Sequence, residues 1–418
     1  MSSGGLYAVP FSMANYDFSQ MDADVLGQVY EQYLGHVAQE AGRITQLQPS
    51  IPGMALPAIT VEGKRQRRRE RGIYYTPAWV VQYVVQETLG RFLEENQNRQ
   101  DNIDNVGILD PACGSGSFLI RAYETLLDYH ARASGGEVAH LDTRARERVL
   151  RQNIYGIDLD PQAVEIARLN LLIRMVREQE LLPQLRDNIE LGNSLVDGDE
   201  DELRPFFGPR WKEKSAFKWA NRFPRVMERG GFDVIIGNPP YVRIQTLPKE
   251  EVRFFNQNFE AATGNYDIYC LFVERSLQLL RPGGYLGFII PNKFMHTAYG
   301  KGLRTLLADQ KAVFKIVDFG DAQIFESGTN YTCLLFLRKG HNRSVTYVPV
   351  ADAFKTMAAP LTLSHAEKLA FSTKLDNSSS PWVFAPAREE TLMRKLRSVS
   401  SPLSEASEKV FVGLQTSR

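Results

Sequence analysis

Short apolar runs recur along the chain, each ending in a turn marked by glycine, proline or acids and each followed by residues whose apolar positions repeat at helical spacing. Residues 106–110 form the first run, and residues 118–130 continue at helical spacing. Residues 153–160 end a second run at Asp158-Leu159-Asp160, after which Pro161 opens a helix to about Arg177 with Val164, Ala167, Leu171, Ile173 and Met175 as its core positions. Residues 189–194 read as a third strand with a polar tip, and residues 232–237 as a fourth that is apolar apart from Asp233. A helix over 266–280, a tight turn at 281–284 and a strand over 285–290 follow. Residues 316–319 and 332–337 supply the last strands, the second pairing at the sheet edge. This alternation predicts an α/β fold, a doubly wound, mostly parallel sheet complete near residue 340.

Three regions follow from the pattern: a helical N-terminal extension with a basic linker over 1–70, a catalytic domain over 71–342, and a C-terminal region over 343–418. In the first, residues 25–34 are amphipathic, Pro49, Pro52 and Pro57 mark a loop, and residues 64–69 form a positive run. A solvated linker is the ordinary meaning of such a run, with phosphate contact the sharper alternative. Between 197 and 229 the chain interleaves Phe206, Phe207, Trp211, Phe217, Trp219 and Phe223 with lysines and arginines. Buried anchors for a long excursion explain these rings in the common case; stacking on bases is the other reading.

The chemistry concentrates in two turns. Asn238-Pro239-Pro240-Tyr241 stops the fourth run, since consecutive prolines fix φ and offer no ladder donor. Such a turn aims an amide, a bare carbonyl and an aromatic ring into the crevice at the carboxyl end of a parallel sheet. A planar amine is a weak nucleophile that needs acceptors more than a base. The Asn238 oxygen and the Pro239 carbonyl suit its two hydrogens, and Tyr241 suits a stacked ring. An isolated Asn-Pro pair is more often a plain turn; the strand before it and a second glycine-rich turn upstream favour the functional reading. That upstream turn is Asp110-Pro111-Ala112-Cys113-Gly114-Ser115-Gly116-Ser117, where Gly114 and Gly116 allow close approach to a ligand and Ser117 is the expected helix N-cap. Asp158 is placed to accept hydrogen bonds from ribose hydroxyls. Asn193 either pairs with an adenine ring or only caps its own turn.

These residues resemble the gamma-class adenine-N6 DNA methyltransferases, in particular the methyltransferase module of type IIG restriction-modification enzymes. The match runs from about Arg69 to about Leu337 through Gly72-Ile73-Tyr74-Tyr75-Thr76-Pro77, Asp110 to Phe118, Gly156 to Pro161, and residues 217–226 into the Asn-Pro-Pro-Tyr turn. The resemblance implies a Rossmann-like, S-adenosylmethionine-dependent fold and transfer of a methyl group to an adenine flipped out of double-stranded DNA. It implies that Tyr75, Thr76 and Pro77 lie at the methionine part of the cofactor, with Asp110, Pro111, Ala112, Gly114, Gly116 and Phe118 of the glycine turn. Asp158 and Leu159 would hold the ribose side, Asn193 the adenine side, and Phe325 would join Tyr241 in stacking on the target base, unless it is a core phenylalanine. The region from 343 corresponds to the start of a target-recognition domain, shorter here than is usual, so truncation or a separate recognition or nuclease subunit is an expectation.

Composition adds limits. With 43% hydrophobic residues in 418 the chain buries a large core, while 49 basic and 49 acidic residues leave a formal net charge of zero, so any DNA-binding face must be local. Cys113, Cys270 and Cys333 form no CxxC pair, and no signal peptide or long apolar stretch appears, which points to a cytoplasmic protein without a membrane partner. No metal is required by the chemistry. Glu62-Gly63-Lys64 lacks the context of a nuclease, and no phosphate-binding loop of an ATP motor is present. Methylation of a protein glutamine and a non-catalytic cofactor-binding subunit of a defence complex are the competing functions.

Overall fold

A computed structural model describes residues 76–99, 103–175, 185, 187–322, 324–325, 331–340, 342–350, 367–375 and 380–401. The expectations for Tyr75, for the extension and basic run before it, and for residues beyond 401 lie outside these.

Among the described residues nine strands form one sheet: β1 (Ile108–Asp110), β2 (Ile154–Asp158), β3 (Ile189–Leu191), β4 (Phe232–Gly237), β5 (Leu280–Pro291), β6 (Val313–Asp318), β7 (Thr332–Arg338), β8 (Val345–Pro349) and β9 (Phe371–Thr373), in the order β3-β2-β1-β4-β5-β7-β6-β8-β9. β1 pairs in parallel with β2 and β4, β2 with β3, β4 with β5, and β6 with β8. The mostly parallel α/β sheet expected from the alternation is therefore present. Two expectations fail. Residues 332–337 lie inside the sheet, because β7 pairs antiparallel with both β5 and β6. The sheet also continues past residue 340: β8 joins β6, and β9 pairs antiparallel with β8. The alternating Val345-Thr346-Tyr347-Val348 carries that strand signal, and β9 is only three residues long, too short for periodicity to register.

The helices occupy the connections: α1 (Ala78–Val85), α2 (Ser117–Ala133), α3 (Thr143–Asn153), α4 (Pro161–Met175) and α5 (Tyr269–Leu279). α2 carries Phe118, Leu119, Ala122, Tyr123, Leu126 and Leu127 as one buried face, at the spacing of an amphipathic helix. Its N-cap is Gly116, left-handed at φ +91°, and Ser117 is the first helical residue with no capping bond, which corrects the expected cap. A side chain at 116 would also stand 3.3 Å from Ala167 on α4. α1 packs on α2 and on β5.

Polar side chains buried among the strands are anchors. Asp233 on β4 accepts from the Gly107 amide at 2.7 Å and pairs with Arg281. Asn153 donates to Val106 and Asn188 to the Ile154 carbonyl, tying the entrances of β1 and β2 together. Phe217, Trp219 and Phe223 are buried and in ring contact with one another at 5.0–6.1 Å, and Tyr155 and Phe232 complete the cluster. The aromatic stretch is thus held as core.

The chain leaves β1 toward β2 and β3, then returns to place β4 on the other side of β1. This is the switch point where an open α/β sheet leaves a crevice outside its carboxyl ends.

Candidate active site

The two turns meet at that switch point. β1 ends at Asp110 and β4 at Gly237, and a side-chain carbon built at Gly237 would lie 2.6 Å from Asp110 Oδ1. Gly237 has φ +154°. The acid opening the glycine turn therefore lies beside the residue that precedes Asn238, a proximity that sequence spacing does not reveal.

Asp110 is 1% exposed, and its Oδ1 accepts from the Ala112 amide at 3.1 Å. Burial pushes its carboxyl up to about 8, with that hydrogen bond opposing the shift and the charge of Asp158 adding to it. Asp158, at the tip of β2, accepts from the amides of Gly114 at 2.8 Å and Asp160 at 2.9 Å, and burial raises its carboxyl as well. The glycine turn is closed further by Cys113 N to Ile157 O at 2.9 Å, Asn170 Nδ2 to Ser115 O at 3.0 Å and Ser194 Oγ to Pro111 O at 2.6 Å. Backbone donors thus hold two adjacent carboxyls in low dielectric, a setting that favours a positively charged or hydroxyl-rich ligand. Burial pushes the Cys113 thiol well up, so it sits in the turn as a small residue without thiolate character.

Leu159 follows Asp158 and is 58% exposed; Leu191, opposite Asp158 in the ladder, is 45% exposed. Asn193 caps its own turn, its Oδ1 accepting from Leu195 N at 3.1 Å, and its backbone pairs with the segment at Ser215 and Ala216. Pro111 and Ala112 lie in the turn with Gly114, and Phe118 is buried beneath it on α2.

On the other side, Asn238 Nδ2 donates to Thr76 Oγ1 at 3.1 Å. Thr76 is buried and precedes Pro77, the N-cap of α1, so the helix holds the amide. The sequence placed Thr76 only beside the cofactor, and its bond to Asn238 across 162 positions had no local signal. Tyr241 is 8% exposed, donates to the Ile289 carbonyl at 3.0 Å, and meets Tyr269 and Phe325 edge-on at 6.2 and 6.4 Å. Phe325, itself buried, is brought to Tyr241 from a segment far downstream. A separate cleft of about 510 Å³ lies toward the amino ends of β2, β3 and β4, lined by Arg148, Arg151, Arg222 and Arg225; it is away from both turns. Among the described residues no helix is long and apolar enough to cross a membrane.

A sheet whose switch point joins an acid-tipped glycine turn to an Asn-Pro-Pro-Tyr turn has the organisation of a methyltransferase domain, and residues 97–187 match the model of the RMKL-like methyltransferase domain. More narrowly, residues 152–325 match the Eco57I restriction-modification methylase family, so the resemblance to restriction-modification methyltransferases read from the motifs is borne out. The type II restriction enzyme and methyltransferase RM.Eco57I of Escherichia coli is 29% identical over 367 residues, covering 82% of this chain and 34% of its own length. The adenine-specific methyltransferase PglX of Streptomyces coelicolor is 24% identical over 316 residues, 68% of this chain and 25% of its own. The fold is shared with a nuclease-deletion mutant of the type ISP restriction-modification enzyme LlaGI, solved in complex with a DNA substrate mimic (TM-score 0.54, 18% identity, 74% of this chain and 27% of that one). The chain spans about a third or less of each of these proteins.

Proposed function

We propose that this chain is the methyltransferase part of a restriction-modification or phage-defence system, and that it transfers a methyl group from S-adenosylmethionine to the N6 amine of an adenine flipped out of double-stranded DNA. The observation that carries the reading is the contact of the Asn238–Tyr241 turn with the Asp110 turn at the switch point.

S-adenosylmethionine supplies a sulfonium-bound methyl group as the electrophile. The residues fit it: Asp110 is a buried carboxyl suited to an ammonium group, Asp158 to ribose hydroxyls, Thr76 and Pro77 begin the helix beside them, and the exposed Leu159 offers apolar surface. Asn193 would complete the adenine side. Asn238 Oδ1 and the Pro239 carbonyl accept the two amine hydrogens, drawing electron density onto the nitrogen as its geometry becomes tetrahedral and positive charge develops there. Pro240 keeps the turn rigid. Tyr241, with Phe325 on its edge, forms the aromatic wall for the base. The catalytic domain would run from 71 through the sheet's last strand, β9, rather than end at 342, and the region beyond would lead into target recognition, with a recognition or nuclease part on this or another chain. The working place of such an enzyme is the cytoplasm.

The test is transfer of labelled methyl from S-adenosylmethionine to unmethylated genomic DNA followed by nucleoside analysis. Label in N6-methyladenine with wild type, and none with Asn238→Ala despite retained cofactor binding, is the expected result. Equal labelling by the variant would overturn the assignment of the turn.

A further inference from the structure

A flipped nucleotide swings out about its own backbone, so the phosphates on either side of it come to rest at the mouth of the base pocket. With a formal net charge of zero, the chain has no general attraction for DNA, and cations must be placed locally. Two exposed cations follow closely on the elements that hold Tyr241. Arg243 is exposed two residues beyond Tyr241, and Lys293 is exposed two residues beyond the end of β5, the strand whose Ile289 carbonyl holds the Tyr241 hydroxyl.

Both are held by rigid backbone. Residues around Arg243 pair antiparallel with those around Asp267, through Ile268 N to Val242 O at 2.9 Å and Ile244 N to Tyr266 O at 3.0 Å, with Ile244 and Tyr266 buried on either side. Lys293 lies in the 3-10 turn Asn292–Met295, where Asn292, Phe294 and Met295 are buried and the Lys293 carbonyl accepts from Thr297 Oγ1 at 2.8 Å. The half-buried Asp267 feels both cations: burial pushes its carboxyl up, and Arg243 and Lys293 draw it down. Two cations against one carboxylate give these three side chains a net positive charge.

We infer that Arg243 and Lys293 form a clamp for the phosphodiester groups flanking the displaced adenine. This rests on the DNA reading above. Phosphate contacts of this kind position the strand without reading its sequence.

The test is fluorescence anisotropy of the 418-residue chain on a short duplex carrying one mispaired adenine, titrated with salt, for wild type, Arg243→Gln, Lys293→Gln, the double variant and Arg243→Lys. Each neutralised side chain should reduce the slope of log affinity against log salt by about one, and the double variant by about two, while Arg243→Lys keeps the wild-type slope. Cofactor affinity should not change. Wild-type slopes in both glutamine variants would overturn the clamp and leave the DNA reading standing. No duplex binding by wild type at low salt, with cofactor binding intact, would overturn both.

Discussion

Replacing Gly237 by alanine tests the junction between the two turns. The added carbon would stand 2.6 Å from Asp110 Oδ1 and 3.1 Å from its Cγ. That is about 1 Å inside ordinary non-bonded contact at roughly 3.5–4.0 Å. Asp110 is buried, short and held by Ala112 N, so the clash moves either the acid or the turn. Overpacking of this kind costs about 1–3 kcal/mol, and a side chain at φ +154° adds a strain of order 1 kcal/mol. The sum, roughly 2–4 kcal/mol, lies below the ~5–15 kcal/mol of a typical fold, so the variant should fold with its stability reduced by that amount. The diagnostic is a double-mutant cycle by urea unfolding. In an Asp110→Ala background the struck atoms are gone and only the backbone strain remains, giving a coupling of about 1–3 kcal/mol between the sites. Costs that simply add, to within about 0.5 kcal/mol, would refute the contact as the cause.

Thr76→Val removes the acceptor that orients the Asn238 amide; one such hydrogen bond is worth about 0.5–1.5 kcal/mol, so single-turnover methyl transfer should slow several-fold, with Thr76→Ser restoring it. A valine variant as fast as wild type would mean that the amide is oriented otherwise. Lys315, buried in the sheet, meets Glu367 at 2.6 Å and Glu87 at 3.1 Å and lies over the Tyr83 ring, while Glu87 keeps Arg91 as a second partner, so Lys315→Met should cost about 1–3 kcal/mol in chemical denaturation, and an unchanged stability would show that the cluster is not coupled. Asp110 titrates at about 8 in the folded chain and near 4 when unfolded, so the folded state holds an extra proton between those values. Its stabilising effect is fully present below about pH 4 and is lost as pH rises toward 8, at up to about 1.4 kcal/mol per pH unit; Asp110→Asn should flatten that slope in unfolding experiments without ligand, and an identical pH profile in the variant would count against it.

The strands and both turns were legible because each signal is local. A parallel strand buried on both faces is a nearly continuous apolar run, and glycine or proline must follow where the chain turns. Asp158 and Asp110 were legible for the same reason: an acid at the end of an apolar run has nowhere to be except the sheet's edge. The position of β7 was not, since pairing between residues 332–338 and both flanking strands depends on partners in the fold, and apolar content does not specify strand direction. β8 and β9 were missed because the motif set ends near residue 340, whereas the sheet edge is closed by pairing rather than by chemistry. Ser117 was misjudged as a cap because Gly116, left-handed, enters the helix directly and leaves the hydroxyl one position too late. The Thr76–Asn238 bond and the Gly237–Asp110 contact join residues more than a hundred positions apart, and no spacing rule reaches that far.

Those two contacts bear on how the site works as a unit. Thr76, Asp110 and Asn238 come from three separate stretches, yet the peptide of Gly237 and Asn238 touches the other two. Asp110 faces the proposed cofactor and Asn238 the proposed amine, so any displacement of the acid is carried into the acceptor turn through less than one residue of backbone. A cation arriving beside Asp110 favours its ionised form and strengthens its hold on the Ala112 amide. A site in which donor and acceptor were held by independent elements would have no such dependence.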